Sequence, residues 1–109
     1  MLIDFSKIQE TVVSNFKGGE KTLSRRAAGD ELCLVMQGCL LPGASIGEHT
    51  HADSSEVIFV LSGTASIVCD GAEETVSARQ AHYCPKGSTH TMKNRGDGEL
   101  RFLAVVPKQ

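Results

Sequence analysis

The sequence predicts an all-β domain of short antiparallel strands closed into a barrel or sandwich. Two observations carry this reading. From Glu31 onward the apolar residues come in runs of strand length separated by Gly, Pro and Asp turn signals, and no segment after Ala28 keeps a helical period. At 109 residues the chain is expected to be a single domain with a real core.

Taken in order, Ile3 to Phe16 mixes apolar and polar residues as an edge strand plus a short helical turn would, and Gly18-Gly19 breaks it. Lys21 to Ala28 reads as a charged edge strand with Arg25 and Arg26 on opposite faces, so at most one of them points at a ligand. Residues 1–30 are thus expected to form an N-terminal edge and dimerisation segment, and residues 31–109 the barrel itself. Leu32 to Leu41 is apolar at nearly every position, which in a strand means that both faces are covered, the second by a partner subunit. Val57 to Leu61 repeats that pattern. Gly63 to Cys69 is a strand ended by the hairpin signal Asp70-Gly71. Thr75-Val76, Ala81 to Cys84, Thr89 to Asn94 and Leu100 to Val106 follow as further strands, with turns at Pro85-Lys86-Gly87 and Gly96-Asp97-Gly98.

The chemistry concentrates between Gly43 and Gly63, GASIGEHTHADSSEVIFVLSG. His49 and His51 are two apart, so in an extended strand both leave on the same side and grip one ion. Ala52 to Ser55 is turn chemistry that brings the carboxylate of Glu56 back to the same centre. Three ligands in one segment leave a fourth to be found.

Several function classes are disfavoured. The formal net charge of -2 gives no bulk attraction to nucleic acid or to an anionic membrane, and the apolar runs fall short of the ~20 residues of a membrane helix. The N-terminus lacks a signal-peptide layout, so a cytoplasmic protein is expected. Cys33, Cys39, Cys69 and Cys84 contain no CxxC pair and read as reduced thiols, with Cys84 the one nearest to chemistry. Neither a phosphate-binding glycine loop nor a serine-histidine-acid set is present at recognisable spacing.

Gly43, His49, His51, Glu56 and Gly63 fall in the pattern G-x5-H-x-H-x4-E-x6-G, and Pro85, Gly87, His90 and Asn94 in P-x-G-x2-H-x3-N. In both, the sequence resembles the cupin superfamily, specifically its small single-domain metal-binding members. It departs once: the family's second motif opens with a glycine six residues before the proline, and Arg79 stands there. The resemblance implies a double-stranded β-helix (jelly-roll) barrel, frequently dimeric, holding one divalent metal with three histidines and a glutamate. His90, at the start of a strand after a Pro-Gly turn, is the natural fourth ligand. Imidazoles with one carboxylate suit Fe, Mn, Ni or Zn, and four ligands on an octahedral ion leave two open positions.

Parity extends the expectation. With Glu56 inward, Ile58 and Val60 point inward too. With His90 inward, so do Met92 and Asn94. These residues line either an apolar pocket beside the metal or a filled core. Tyr83 is an acid-base candidate, although alternation sets it on the opposite face from His82 and Cys84, and His82 reads as a structural histidine. Two functions follow: an oxygenase, lyase or isomerase acting on a small oxygen-bearing molecule such as a carboxylate, diketone, sugar or phenol, or a metal-dependent module that binds or senses a small ligand.

Overall fold

A computed structural model describes residues 1–109. Ten strands follow one another: β1 Thr11–Ser14, β2 Thr22–Gly29, β3 Cys33–Leu40, β4 Ser45–Thr50, β5 Glu56–Ser62, β6 Thr64–Cys69, β7 Ala72–Ser77, β8 Ala81–Cys84, β9 Thr89–Lys93 and β10 Leu100–Pro107. The only helical pieces are 3₁₀ turns at Phe5–Lys7 and Phe16–Gly18. A six-stranded sheet, β1-β2-β3-β10-β5-β8, faces a four-stranded one, β4-β9-β6-β7, and every pairing is antiparallel. This is the jelly-roll arrangement of an all-β single domain.

The core lies between the sheets and follows from alternation. Along β5, Glu56, Ile58 and Val60 are buried while Val57, Phe59 and Leu61 are exposed. Along β10, Leu100, Phe102 and Ala104 are fully buried and alternate with Arg101, Leu103 and Val105. Phe102 pairs with Gly38 on one side and Val60 on the other, and its ring takes the space above Gly38, where an added Cβ would lie 2.4 Å from the ring. Ile46, Ala65, Ile67, Val76 and Met92 close the core from the four-stranded sheet.

The turns behave as their residue types require. Asp70 and Gly71 have φ of 49° and 82°, the pair of positive values that makes a type I′ hairpin, and they join β6 to β7 in the register Cys69 opposite Ala72. The strand around Thr75-Val76 is consequently longer than its composition suggests, because pairing with β6 extends it over Ala72–Ser77. Arg79 adopts φ 74°, the conformation that the family's glycine would supply without cost. A side chain there costs about 1–2 kcal/mol, and the turn is kept by the bonds Arg79 N–H to Val60 O and Val60 N–H to Gln80 O.

The expectation that Leu32 to Leu41 is covered on both faces holds for one face only within this chain. Met36 and Leu40 are buried, but the outward side of β3 is half-covered. Register places Ala28, Val35, Val105, Val57 and Tyr83 in one row across the outer surface of the six-stranded sheet, with Leu103 and Phe59 in the next. Leu61 extends this apolar surface, and all of its β5 members are about two-fifths exposed. β1 and β2 form the opposite edge of the same sheet. No helix is long and apolar enough to cross a membrane.

Candidate metal centre

β4 and β9 are neighbours, and their register sets His49 directly opposite His90. A shift of register between Ile46 and His49 marks a bulge in β4. That irregularity has a consequence for function. Ile46 and His49 are three apart and would face opposite sides of a regular strand, yet Ile46 enters the core and His49 the ligand cluster. Beyond β4, His51 is tied to the turn before β9 by its N–H to Ser88 O (3.0 Å) and by Gly87 N–H to its own carbonyl (2.6 Å). Asp70 caps the start of β9 by accepting from Thr89 N–H at 2.9 Å, which also holds its carboxyl below the usual range. Glu56 opens β5 on the facing sheet.

These elements bring His49, His51, Glu56 and His90 together, with all four ligand atoms within 4.8 Å of one another. Glu56 Oε1 lies 3.0 Å from Nε2 of both His51 and His90, and His90 Nε2 lies 3.1 Å from Nε2 of both His51 and His49. His51, Glu56 and His90 are buried, and His49 alone is partly open to solvent.

The outer nitrogens decide what the inner ones offer. His49 Nδ1 lies 2.8 Å from Gly47 O, an acceptor only, so Nδ1 carries the proton and Nε2 presents a lone pair. His82 Nδ1 lies 2.7 Å from a Glu74 carboxylate oxygen and so donates to it, leaving His82 Nε2 to accept from His90 Nδ1–H at 3.0 Å. His90 Nε2 is therefore also a lone pair. His51 Nδ1 meets the Ser54 hydroxyl at 2.8 Å, a group that either accepts from Nδ1–H or donates to it and so leaves both tautomers open. With all three rings protonated on Nδ1, three imidazole lone pairs and a carboxylate converge, an arrangement that only positive charge relieves, whether protons or a metal cation. Ligands at right angles around an ion at ~2.1 Å stand ~3.0 Å apart, against ~3.4 Å for tetrahedral neighbours. The observed 3.0 and 3.1 Å match the first spacing, and the donor set fits a divalent metal.

The electrostatics agree. Burial pushes the His49 imidazole down, helped by the charges of His90 and His51 and opposed by the Gly47 carbonyl. Without a metal, protons supply that positive charge: burial works to raise the Glu56 carboxyl, but a hydrogen bond from His90 when its Nε2 carries a proton, and the charges of the three histidines, outweigh it, so Glu56 is held below its ordinary value.

The other residues singled out in the sequence are placed as follows. Ile58, Val60 and Met92 face inward and belong to the packed core, none more than 2% exposed, so they floor the cluster with apolar surface. In so small a barrel the two sheets approach closely enough for such side chains to fill the interior. Asn94 faces inward as well, but its amide is spent on structure: Nδ2 donates to Leu40 O and Gly98 O, and Oδ1 accepts from Gly96 N–H. Tyr83 is 58% exposed and pairs with Val57 on the outer face. Strand alternation therefore directs its hydroxyl away from the four ligands. Arg25 lies 5.1 Å over the Phe16 ring and Arg26 pairs loosely with Glu10 at 4.0 Å, so neither guanidinium is committed to the cluster.

All four cysteines are free thiols. Cys84 is fully buried and its thiol is pushed up to about 12, by burial first and then by Cys69. Cys69, Cys84 and His82 gather within 4.8 Å of one another. Sequence reasoning took His82 as a structural histidine and passed over Glu74 and Ser54; in the fold His82 contacts the ligand His90, Glu74 contacts His82 in turn, and Ser54 contacts His51. The spacing of Ser54 three residues after His51 is the one signal of them that the sequence carries.

A family model described as "Cupin domain" matches residues 36–106. The chain belongs to this family. Among curated proteins, the cupin is 29% identical over 112 aligned residues to an oxalate-binding protein of Thermotoga maritima, covering 97% of this chain and 93% of that one. It is 29% identical over 67 residues to the tetracenomycin polyketide synthase protein TcmJ of Streptomyces glaucescens, covering 62% of this chain and 45% of that one. Among solved structures, a predicted oxalate decarboxylase of Thermotoga maritima superposes with a TM-score of 0.93 at 25% identity, with both chains covered completely. A sugar phosphate isomerase of Silicibacter pomeroyi shares the fold at a TM-score of 0.78 and 23% identity, over all of this chain and 76% of that one.

Proposed function

We propose that this cupin holds one divalent transition metal, Fe, Mn, Ni or Zn, on His49, His51, Glu56 and His90, and uses it as an enzyme acting on a small oxygen-bearing molecule. The observation that carries the proposal is the convergence of three imidazole nitrogens and one carboxylate oxygen, all within 4.8 Å of one another. Bound there, the metal would supply Lewis acidity or oxygen activation at the positions its protein ligands leave free. A divalent metal that takes six ligands would keep two positions free of protein, enough for a bidentate chelate.

This chain's residues define the rest. Glu56 is the one anionic ligand and leaves a net charge of about +1 on a divalent ion, which attracts an anion. His49, the ligand open to solvent, marks the side from which a small molecule enters. Ile58, Val60 and Met92 keep water from the opposite side and lower the local dielectric. A small chelating carboxylate of the oxalate kind is the substrate class we favour, on the likeness to the oxalate-binding protein over nearly the whole chain.

The second reading is binding or sensing without turnover. Tyr83 faces outward and both arginines are engaged elsewhere, so no acid-base side chain beyond the ligands and their hydrogen-bond partners is evident. Separate anaerobic loading with iron, manganese, nickel and zinc, followed by calorimetry with oxalate and product analysis with and without oxygen, tests both readings. Oxygen uptake only with iron selects an oxygenase. Product without oxygen selects a lyase or isomerase, and tight oxalate binding with no product under any metal selects the binding module. Absence of both metal uptake and oxalate binding would overturn the proposal.

We further propose a homodimer in the cytoplasm, in which the outer apolar face of the six-stranded sheet and the N-terminal segment meet a second copy. The adjoining Val57, Phe59, Leu61 and Tyr83 form the kind of exposed patch that marks an interface, and four free thiols suit a reducing compartment. Light scattering should give twice the chain mass at micromolar concentration, reduced to one chain by Phe59→Glu; a wild-type monomer would refute it.

A further inference from the structure

The metal reading leaves a buried histidine unexplained. His82 lies on β8, at the edge of the six-stranded sheet, and its side chain is 1% exposed. Burying an imidazole is costly unless both nitrogens find partners, and here both do, on two different strands of the other sheet. Glu74, on the edge strand β7, accepts from His82 Nδ1–H at 2.7 Å, and His82 Nε2 accepts from His90 Nδ1–H at 3.0 Å. The rings of His82 and His90 lie within 29° of parallel with centroids 5.2 Å apart, the end-to-end placement that an in-plane N–H···N bond requires. Glu74 is half exposed, beside an open depression lined by Thr75, Val76, Gln80 and Ala81 at the seam between the two sheets.

We propose that Glu74 and His82 are positioning residues for the metal, a two-step relay that sets the donor strength of His90 from the protein surface. The inference rests on the reading of the four-residue cluster as a metal site. Because a carboxylate only accepts, Glu74 dictates the tautomer of His82, and His82 in turn dictates that of His90. His90 is left with its proton on Nδ1 and its Nε2 lone pair toward the cluster. The carboxylate charge, passed along two hydrogen bonds, also makes that lone pair a stronger donor, as carboxylate partners of metal-bound histidines do. His49 and His51 have only a neutral carbonyl and a neutral hydroxyl behind them, so the relay distinguishes His90 as the ligand coupled to an anion.

The test uses the full chain, Co²⁺ as probe, and the variants Glu74→Gln, which keeps an acceptor but removes the charge, and Glu74→Leu, which removes both. Glu74 is half exposed, so neither variant opens the core, and thermal melts should confirm this. We expect Glu74→Gln to weaken Co²⁺ binding about 10-fold and Glu74→Leu toward 100-fold, the span found for partners behind metal ligands. Nitrogen-15 correlation spectra of the histidine rings in the metal-free protein supply a second readout. Wild type should show Nδ1-protonated His82 and His90, and Glu74→Leu a mixture of tautomers. Unchanged Co²⁺ affinity in both variants, or a wild-type His90 protonated on Nε2, would overturn the relay. If wild type takes up no Co²⁺, the metal reading falls, and the ring spectra still decide whether Glu74 sets the tautomer of His90.

Discussion

Glu56→Ala and His49→Ala should each lose stoichiometric metal, with affinity falling by more than about 100-fold, beyond what partners behind the ligands contribute. Glu56→Ala should be the more damaging, because it removes the only anion and leaves three imidazoles facing a cation unaided. Elemental analysis of protein purified without added metal, followed by competition with a chelator, reads the loss directly. Retention of one metal per chain in both variants would refute the assignment. The same cluster should be acid-sensitive. Burial lowers His49 from its ordinary 6.5, so near that pH the unfolded chain binds more protons at this position than the folded one. Metal-free protein should therefore lose stability as pH falls from 6.5 toward the lowered folded value. Melts at pH 7.5 and 5.5, with His49→Ala as the reference lacking this dependence, check the sign.

Gly47→Ala should destabilise the fold by about 3 kcal/mol, the upper part of the range for overpacking, and weaken metal binding about 10-fold. The side chain has nowhere to go. A Cβ at Gly47 would lie 2.1 Å from Lys17 O and 2.7 Å from Gly19 N, and one at Gly19 would lie 2.1 Å from Ser45 O. The 3₁₀ turn Phe16–Gly18 and β4 thus touch backbone to backbone, without side chains that could yield. Separating them disturbs the bulge that turns His49 inward and moves the Gly47 carbonyl that accepts from His49 Nδ1–H. Gly98→Ala, where an added Cβ meets nothing within 4 Å, is the control and should stay within about 0.5 kcal/mol of wild type. Denaturant unfolding and Co²⁺ titration measure the two effects. A Gly47→Ala protein with wild-type stability would show that the close contact carries no weight.

Much of the site was legible because strand geometry is local. Period-two alternation places Ile58 and Val60 on the side of Glu56, and Met92 and Asn94 on the side of His90, and burial in the folded chain follows that parity along β5 and β9. Asp70-Gly71 needs only its own backbone preferences to become a hairpin. Arg79 shows the limit of such reading. Residue type alone argues against a left-handed turn there, yet bonds to Val60 from a neighbouring strand hold one in place.

The sequence by itself determined the strand set and the inward parity of β5 and β9, since fixed spacing within extended segments constrains which side chains share a face, while the grouping of His49, His51, Glu56 and His90 followed from the resemblance of its two motifs to the cupin pattern. Only the tertiary structure decided that a bulge pressed by the Phe16–Gly18 turn carries both Ile46 and His49 inward. It alone decided that Asn94 is spent on a turn, that Tyr83 faces outward beside Val57, and that Glu74 and His82 stand behind His90. The reason is that these contacts join strands from both sheets, and their partners are fixed by how the barrel closes, which no local period encodes.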